Sequence, residues 1–185
     1  MRKRLAIFDL DGTLFDTKDV NFSSYKFALD KYGYDLEYEY FCKECNGMSY
    51  KRFLPEIIKD NKVSLDIIHN LKKELYSSNL KQAIINKHLF NMIELIKEEY
   101  FLAIVTTASK KNCTEILTYF NKKNSFDLII SYEDIEHVKP NPEGFIKAMK
   151  FFNIKPKETI IFEDSPVGIE AAKRSGASVF VVNKF

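Results

Sequence analysis

Cysteine is scarce in this chain and long apolar runs are missing, and those two absences exclude a good deal. The three cysteines, Cys42, Cys45 and Cys113, are an odd number unsuited to a disulfide framework, so free thiols in a cytoplasmic protein are expected. Cys42-x-x-Cys45 has no second Cys or His pair at ligand spacing, which argues against zinc. It also follows Tyr38-Glu39-Tyr40-Phe41 within a predicted helix, where a redox motif would open a helix after a strand. No stretch approaches the about 18 consecutive apolar residues of a membrane span. The basic start, residues 1–4, leads into an apolar run that is short and broken by Asp9, so no signal peptide is expected. Nor is there a dense basic block: 28 Lys and Arg against 26 Asp and Glu leave a formal charge of +2, which argues against a nucleic-acid partner. Internal repeats and low-complexity tracts are also absent.

What remains is a globular composition, 45% hydrophobic and 29% charged, in 185 residues. At about 150 residues per domain, that is one domain with a modest insertion. Apolar β-type runs at 5–10, 101–107, 128–131, 159–162 and 178–182 are continuous, as in parallel strands buried on both faces. Helical patterns alternate with the later ones. Leu89, Ile93 and Ile96 share a face, as do Cys113, Ile116, Leu117 and Phe120 behind a candidate N-cap, Ser109. Helices are also predicted over 142–152 and over 166–175, the latter stopped by Gly176. This alternation predicts an α/β fold with a doubly wound parallel sheet. Residues 16–83 break the rhythm with helices only, at 21–32 and from Leu65 behind Ser64, and are too many for a loop. We assign 1–15 and 84–185 to the core domain and 16–83 to an inserted α-helical domain.

The chemistry gathers at predicted strand ends. Asp9-Leu10-Asp11-Gly12-Thr13-Leu14-Phe15 follows the first strand, and acids at i and i+2 of an extended segment can face one pocket. Gly12 permits a tight departure, and Thr13 can hydrogen-bond back to hold the loop. Thr106-Thr107-Ala108-Ser109 offers hydroxyls and N–H groups at a helix start, a setting for an anion. Lys139 sits in Val138-Lys139-Pro140-Asn141-Pro142, and Glu163-Asp164 follows the fourth strand. Acids with a lysine at strand carboxyl ends suit a magnesium and phosphate site.

These four motifs, in this order from about residue 5 to 182, resemble the haloacid dehalogenase superfamily. The resemblance implies a Rossmann-like sheet of order 5-4-1-2-3, with the helical insertion as a cap domain. Asp9 would be the nucleophile that forms an aspartyl-phosphate, and Asp11 the general acid and then the base. Mg²⁺ would bind Asp9, the carbonyl of Asp11 and Asp164, with Glu163 a ligand or an orienter of one. Thr106, Thr107 and Lys139 would hold the phosphoryl group. Members that dehalogenate lack the second aspartate, so the presence of Asp11 implies a phosphatase acting on a small phosphorylated metabolite. The adjacent Glu163-Asp164 departs from the commoner Gly-Asp-x-x-x-Asp form, since Gly168 stands four after Asp164; the pair is similar to the β-phosphoglucomutase-like branch. A phosphomutase is therefore the alternative, but Tyr50 in Gly47-Met48-Ser49-Tyr50-Lys51-Arg52 replaces the arginine of the mutase-like cap segment. A phospho-ligand-binding protein without catalysis is the remaining alternative, against which the intact motifs argue. His69, His88 and His137 fall outside the motifs and are assigned no role.

Overall fold

A computed structural model describes residues 2–60, 62–183 and 185. In chain order the elements are β1 (Arg4–Phe8), β2 (Phe15–Asp16), α1 (Lys18–Asp30), α2 (Tyr38–Tyr40), α3 (Tyr50–Ile57), α4 (Leu65–Asn79), β3 (Ile84–Ile85), α5 (Lys87–Ile96) and β4 (Tyr100–Val105). They continue with α6 (Lys110–Tyr119), β5 (Leu128–Ile130), α7 (Glu143–Phe152), β6 (Thr159–Glu163), α8 (Pro166–Arg174) and β7 (Ser178–Val181). The chain divides into two units, Met1–Asp16 with Ile84–Phe185, and Thr17–Ala83.

In the first unit the apolar runs pair as a parallel sheet of order β5-β4-β1-β6-β7. Counting these five strands alone, that is 5-4-1-2-3 read from one edge, the expected order. Side chains alternate along each strand, so Leu5 and Ile7 of β1 face one side while Ala6 and Phe8 face the other. On the first side Leu5, Ile7, Ala103, Val105, Ile130 and Ile161 pack with Phe145, Ala148 and Met149 of α7 and Ala171 and Ala172 of α8. On the second, the Phe8 ring stacks on Phe162 at 4.7 Å and meets Phe126 edge-on at 6.0 Å, and Phe126 in turn meets Phe90 of α5. Burying each such aliphatic or aromatic side chain contributes about 1.5–3 kcal/mol. Ser109 accepts from the N–H of Asn112 and so caps α6 as expected. Gly176, at φ +80°, ends α8.

Helix α3 and a short ribbon are absent from the sequence-based expectations. Phe15–Asp16 and Ile84–Ile85 form an antiparallel two-stranded ribbon where the chain leaves and re-enters the first unit. Two residues per strand are too few for a period-2 pattern to register.

The second unit is helical. α1 packs on α4 around Tyr25, Ala28, Leu29, Phe41, Phe53, Leu54 and Ile68. α1 starts at Lys18 and ends at Asp30, earlier at both ends than the predicted 21–32, and Gly33 (φ +81°) lies in the turn beyond. Ser64 caps α4, accepting from the N–H of Asp66 at 3.3 Å. The cysteine pair lies in a π-helical turn, Phe41–Cys45, that extends α2. Cys45 is core, and burial pushes its thiol up to about 11, which leaves it inert at neutral pH. No helix among the described residues is long and apolar enough to cross a membrane.

His69 gives this unit a pH response. Its ring stacks on Tyr50 at 3.9 Å, and its Nδ1 lies 2.8 Å from the Tyr25 hydroxyl. Burial, helped by Lys72 and Lys73, lowers its pKa from 6.5 to about 4. The folded ring stays neutral where the unfolded one takes a proton, so the stability it lends is complete above about 6.5 and drains as pH falls toward 4. Thermal unfolding between pH 7 and 4 should lose stability less steeply in His69→Gln than in the wild type. Parallel slopes would refute this.

Candidate active site

The register of β1 against β6 builds the site. Phe8 lies opposite Phe162, and the N–H of Asp9 donates to the Phe162 carbonyl at 3.0 Å, so Asp9 and Glu163 leave adjacent strands side by side. Beyond Asp9 the chain must turn at once. The N–H groups of Leu14 and Phe15 both donate to the Leu10 carbonyl, and Gly12 donates to Phe15. Gly12 is required twice over: its φ is +90°, and a Cβ there would lie 2.1 Å from Oδ2 of Asp164. The acid is thus pressed against the turn, and its Oδ1 accepts from the Thr13 hydroxyl at 2.9 Å.

Lys139 reaches this cluster from the loop after β5. Its Nζ lies 2.5 Å from Asp9 Oδ1 and 2.5 Å from Glu163 Oε1, with the lysine side chain only 6% exposed. Glu163 is fully buried. Its Oε2 accepts from the N–H groups of Asp164 and Ser165 and from the Ser165 hydroxyl. The same hydroxyl oxygen caps α8 by accepting from Gly168 N–H, and a Cβ on Gly168 would collide with the Glu163 carboxylate.

Charge in the cluster is unbalanced. Asp9, Glu163 and Asp164 bring ligand-type oxygens within 4.8 Å of one another, against one ammonium. Burial, and then Glu163 and Asp11, push the Asp9 carboxyl well above the usual range, while Lys139 pulls it back. Burial likewise lifts Asp164 to about 6, with Glu163 adding and Thr13 opposing. For Lys139, burial is outweighed by Asp9 and Glu163, so it stays charged. Three hard oxygen donors with a deficit of positive charge fit a cation such as Mg²⁺.

Of the seven residues singled out in the sequence, Asp9, Lys139, Glu163 and Asp164 are brought into mutual contact or near it. Asp11 lies at the turn, in a bridge with Phe15. Thr106 is buried just past β4, the other neighbour of β1, and its Oγ1 accepts from Ala108 N–H at 3.0 Å. Thr107, next along, is exposed. Sequence reasoning missed Ser165 and Asn86. Ser165 before Pro166 carries an N-cap signal that could have found it.

Residues 6–182 match the family described as "Haloacid dehalogenase-like hydrolase". A pyrophosphatase, PpaX, of Halalkalibacterium halodurans is 31% identical over 188 residues, covering 98% of this chain and 84% of that protein. A phosphorylated carbohydrates phosphatase of Thermotoga maritima is 29% identical over 178 residues, covering 92% and 81%. The crystal structure of CbbY from Rhodobacter sphaeroides in complex with phosphate superposes with a TM-score of 0.86 at 22% identity, covering all of this chain and 88% of that one, which shows the fold.

Proposed function

Because the chain belongs to the haloacid dehalogenase-like hydrolases, we propose that it is a Mg²⁺-dependent phosphatase of a small phosphorylated metabolite, working through an aspartyl-phosphate on Asp9. One observation carries the reading: a buried carboxylate, Asp9, held by a buried ammonium in a cluster of acids at the end of the central strand. A carboxylate alone in such a pocket would protonate and lose its nucleophilicity. Lys139 opposes that, and it can shift its N–H groups onto the oxygens of an incoming phosphoryl group.

Asp9 and Asp164, with the carbonyl of Asp11, would hold the metal, and Glu163, whose oxygens are taken by Lys139, Ser165 and the N–H of Asp164, would orient the site rather than bind the ion. When bound, the ion neutralises phosphate charge that would otherwise repel the nucleophile. In the first step an Asp9 oxygen attacks phosphorus, the bond to the leaving oxygen breaks, and Asp11 delivers its proton to that oxygen. In the second, Asp11 takes a proton from water, the water oxygen bonds phosphorus, and Asp9 departs as carboxylate. Thr106 and the backbone around Thr107 would hold the phosphoryl oxygens. Glu163, saturated by Ser165 and the N–H of Asp164, keeps Lys139 aimed at Asp9. The helical unit would serve as the family's cap. Free thiols favour a cytoplasmic setting.

Relatives named for phosphorylated carbohydrates and for pyrophosphate set the assay panel. Phosphate release from sugar phosphates, phosphoglycolate, nucleoside monophosphates and pyrophosphate should appear for at least one compound and vanish on exhaustive chelation. Turnover that persists without divalent metal would refute the metal reading. Tyr50 donates its hydroxyl to Asp66 and stacks on His69, so position 50 supplies no cation for a second phosphate. A sugar 1-phosphate with a trace of the bisphosphate should therefore yield inorganic phosphate faster than the 6-phosphate isomer. The reverse order would make the protein a mutase.

A further inference from the structure

One hydrogen-bonded chain runs from the start of α5 to the acid cluster. Asn86, 5% exposed, caps α5 with its Oδ1, which accepts from Leu89 N–H at 3.0 Å. Its backbone N–H donates to the Leu14 carbonyl at 3.0 Å. Its carboxamide N–H donates to the Thr13 carbonyl at 3.1 Å. Thr13, with no exposed surface, passes the contact on: its hydroxyl donates to Asp164 Oδ1. The other oxygen of Asp164 rests against Gly12. A helix cap needs only the first of these bonds, and a buried loop does not need a hydroxyl aimed at a carboxylate. A hydrogen bond to a carboxylate fixes which lone pairs remain for another partner.

We infer that Thr13 and Asn86 are positioning residues for Asp164: Asn86 clamps the Thr13 backbone from the ribbon side, and the Thr13 hydroxyl sets the orientation of the carboxylate. The inference rests on the metal-site reading above. It goes beyond that reading by assigning orientation of the acid to two residues outside the set that would hold the ion. Glycine is needed at position 12 so that the acid can lie against the turn, and threonine at 13 so that it lies there in one orientation. Asn86 connects both to the point where the chain re-enters the first unit.

Mn²⁺ titrated into the full-length protein, with free ion counted by electron paramagnetic resonance, tests this. Thr13→Val, close in shape but without a donor, should weaken Mn²⁺ binding by about 10–100-fold, the usual cost of losing a group that orients a ligand. Thr13→Ser should restore it. Asn86→Asp keeps the acceptor that caps α5 but turns an oxygen toward the Thr13 carbonyl, so it should weaken Mn²⁺ binding in the same direction without shortening the helix. At saturating metal, Thr13→Val should lower kcat and leave KM for the phosphorylated compound unchanged. Asp164→Asn is the control. If it loses Mn²⁺ while Thr13→Val and Asn86→Asp bind as the wild type does, the positioning role is overturned and the metal site stands. If Asp164→Asn binds Mn²⁺ normally, the metal reading itself falls. Should Thr13→Val fail to fold, wild-type affinity in Asn86→Asp overturns the inference by itself.

Discussion

Asp9→Asn should lower phosphate release by at least about 10⁴-fold while leaving a folded protein, because an amide nearly matches the carboxylate in shape but does not attack phosphorus. Its stability should move the other way. In the wild type, burial and the neighbouring Glu163 push the Asp9 carboxyl above its usual range, which means its ionised form is costly there. An amide removes that cost and leaves Lys139 matched one to one with Glu163. Metal-free Asp9→Asn should therefore melt at or above the wild-type temperature, and added Mg²⁺ should raise its melting point less, since one donor is gone. Release near the wild-type rate would show that another group attacks. A folded variant that melts far below the wild type would show that Asp9 is structural.

The acids were legible in the sequence because each stands at the end of a continuous apolar run, and buried parallel strands put such ends on one edge of the sheet. Asp9 and Glu163 needed only that β1 and β6 be neighbours. Helix starts were legible from the local caps Ser64 and Ser109, whereas the equally local caps Asn86 and Ser165 were passed over. The parts that stayed hidden join residues distant in the chain. Thr13 could be read as a residue that hydrogen-bonds back, but its partner Asp164 lies 151 positions on. Asn86 meets Thr13 across 73 positions. Nothing in Val138-Lys139-Pro140 shows that its lysine is buried between two carboxylates, since a lysine in a proline-flanked loop reads equally well as a solvated charge. The ribbon Phe15–Asp16 with Ile84–Ile85 was hidden by its length alone.

Lys139→Met should be the most destabilising single change at the site. It preserves the apolar stem and removes only the ammonium, which leaves Asp9 and Glu163 in a buried pocket with no counter-charge. Breaking a buried ion pair in this way costs about 3–5 kcal/mol, a large share of the stability of a domain this size. The loss should depend on pH with a definite sign. Without the ammonium, the Asp9 carboxyl moves further above its already raised position, and a raised acid lends stability that is present at low pH and lost as pH rises through the folded pKa. Lys139→Met should thus lie closer to the wild type at pH 5 than at pH 8. It should also gain more from metal, because a divalent cation replaces the missing charge among Asp9, Glu163 and Asp164. The rise in melting temperature on adding Mg²⁺ at pH 8 should exceed that of the wild type, although phosphate release stays depressed by about 10²–10³-fold or more for want of a donor to the phosphoryl oxygens. Equal metal-free stability of variant and wild type at pH 8 would mean that the ammonium does not neutralise the cluster. A smaller Mg²⁺ response in the variant would mean that lysine and metal act on different charges.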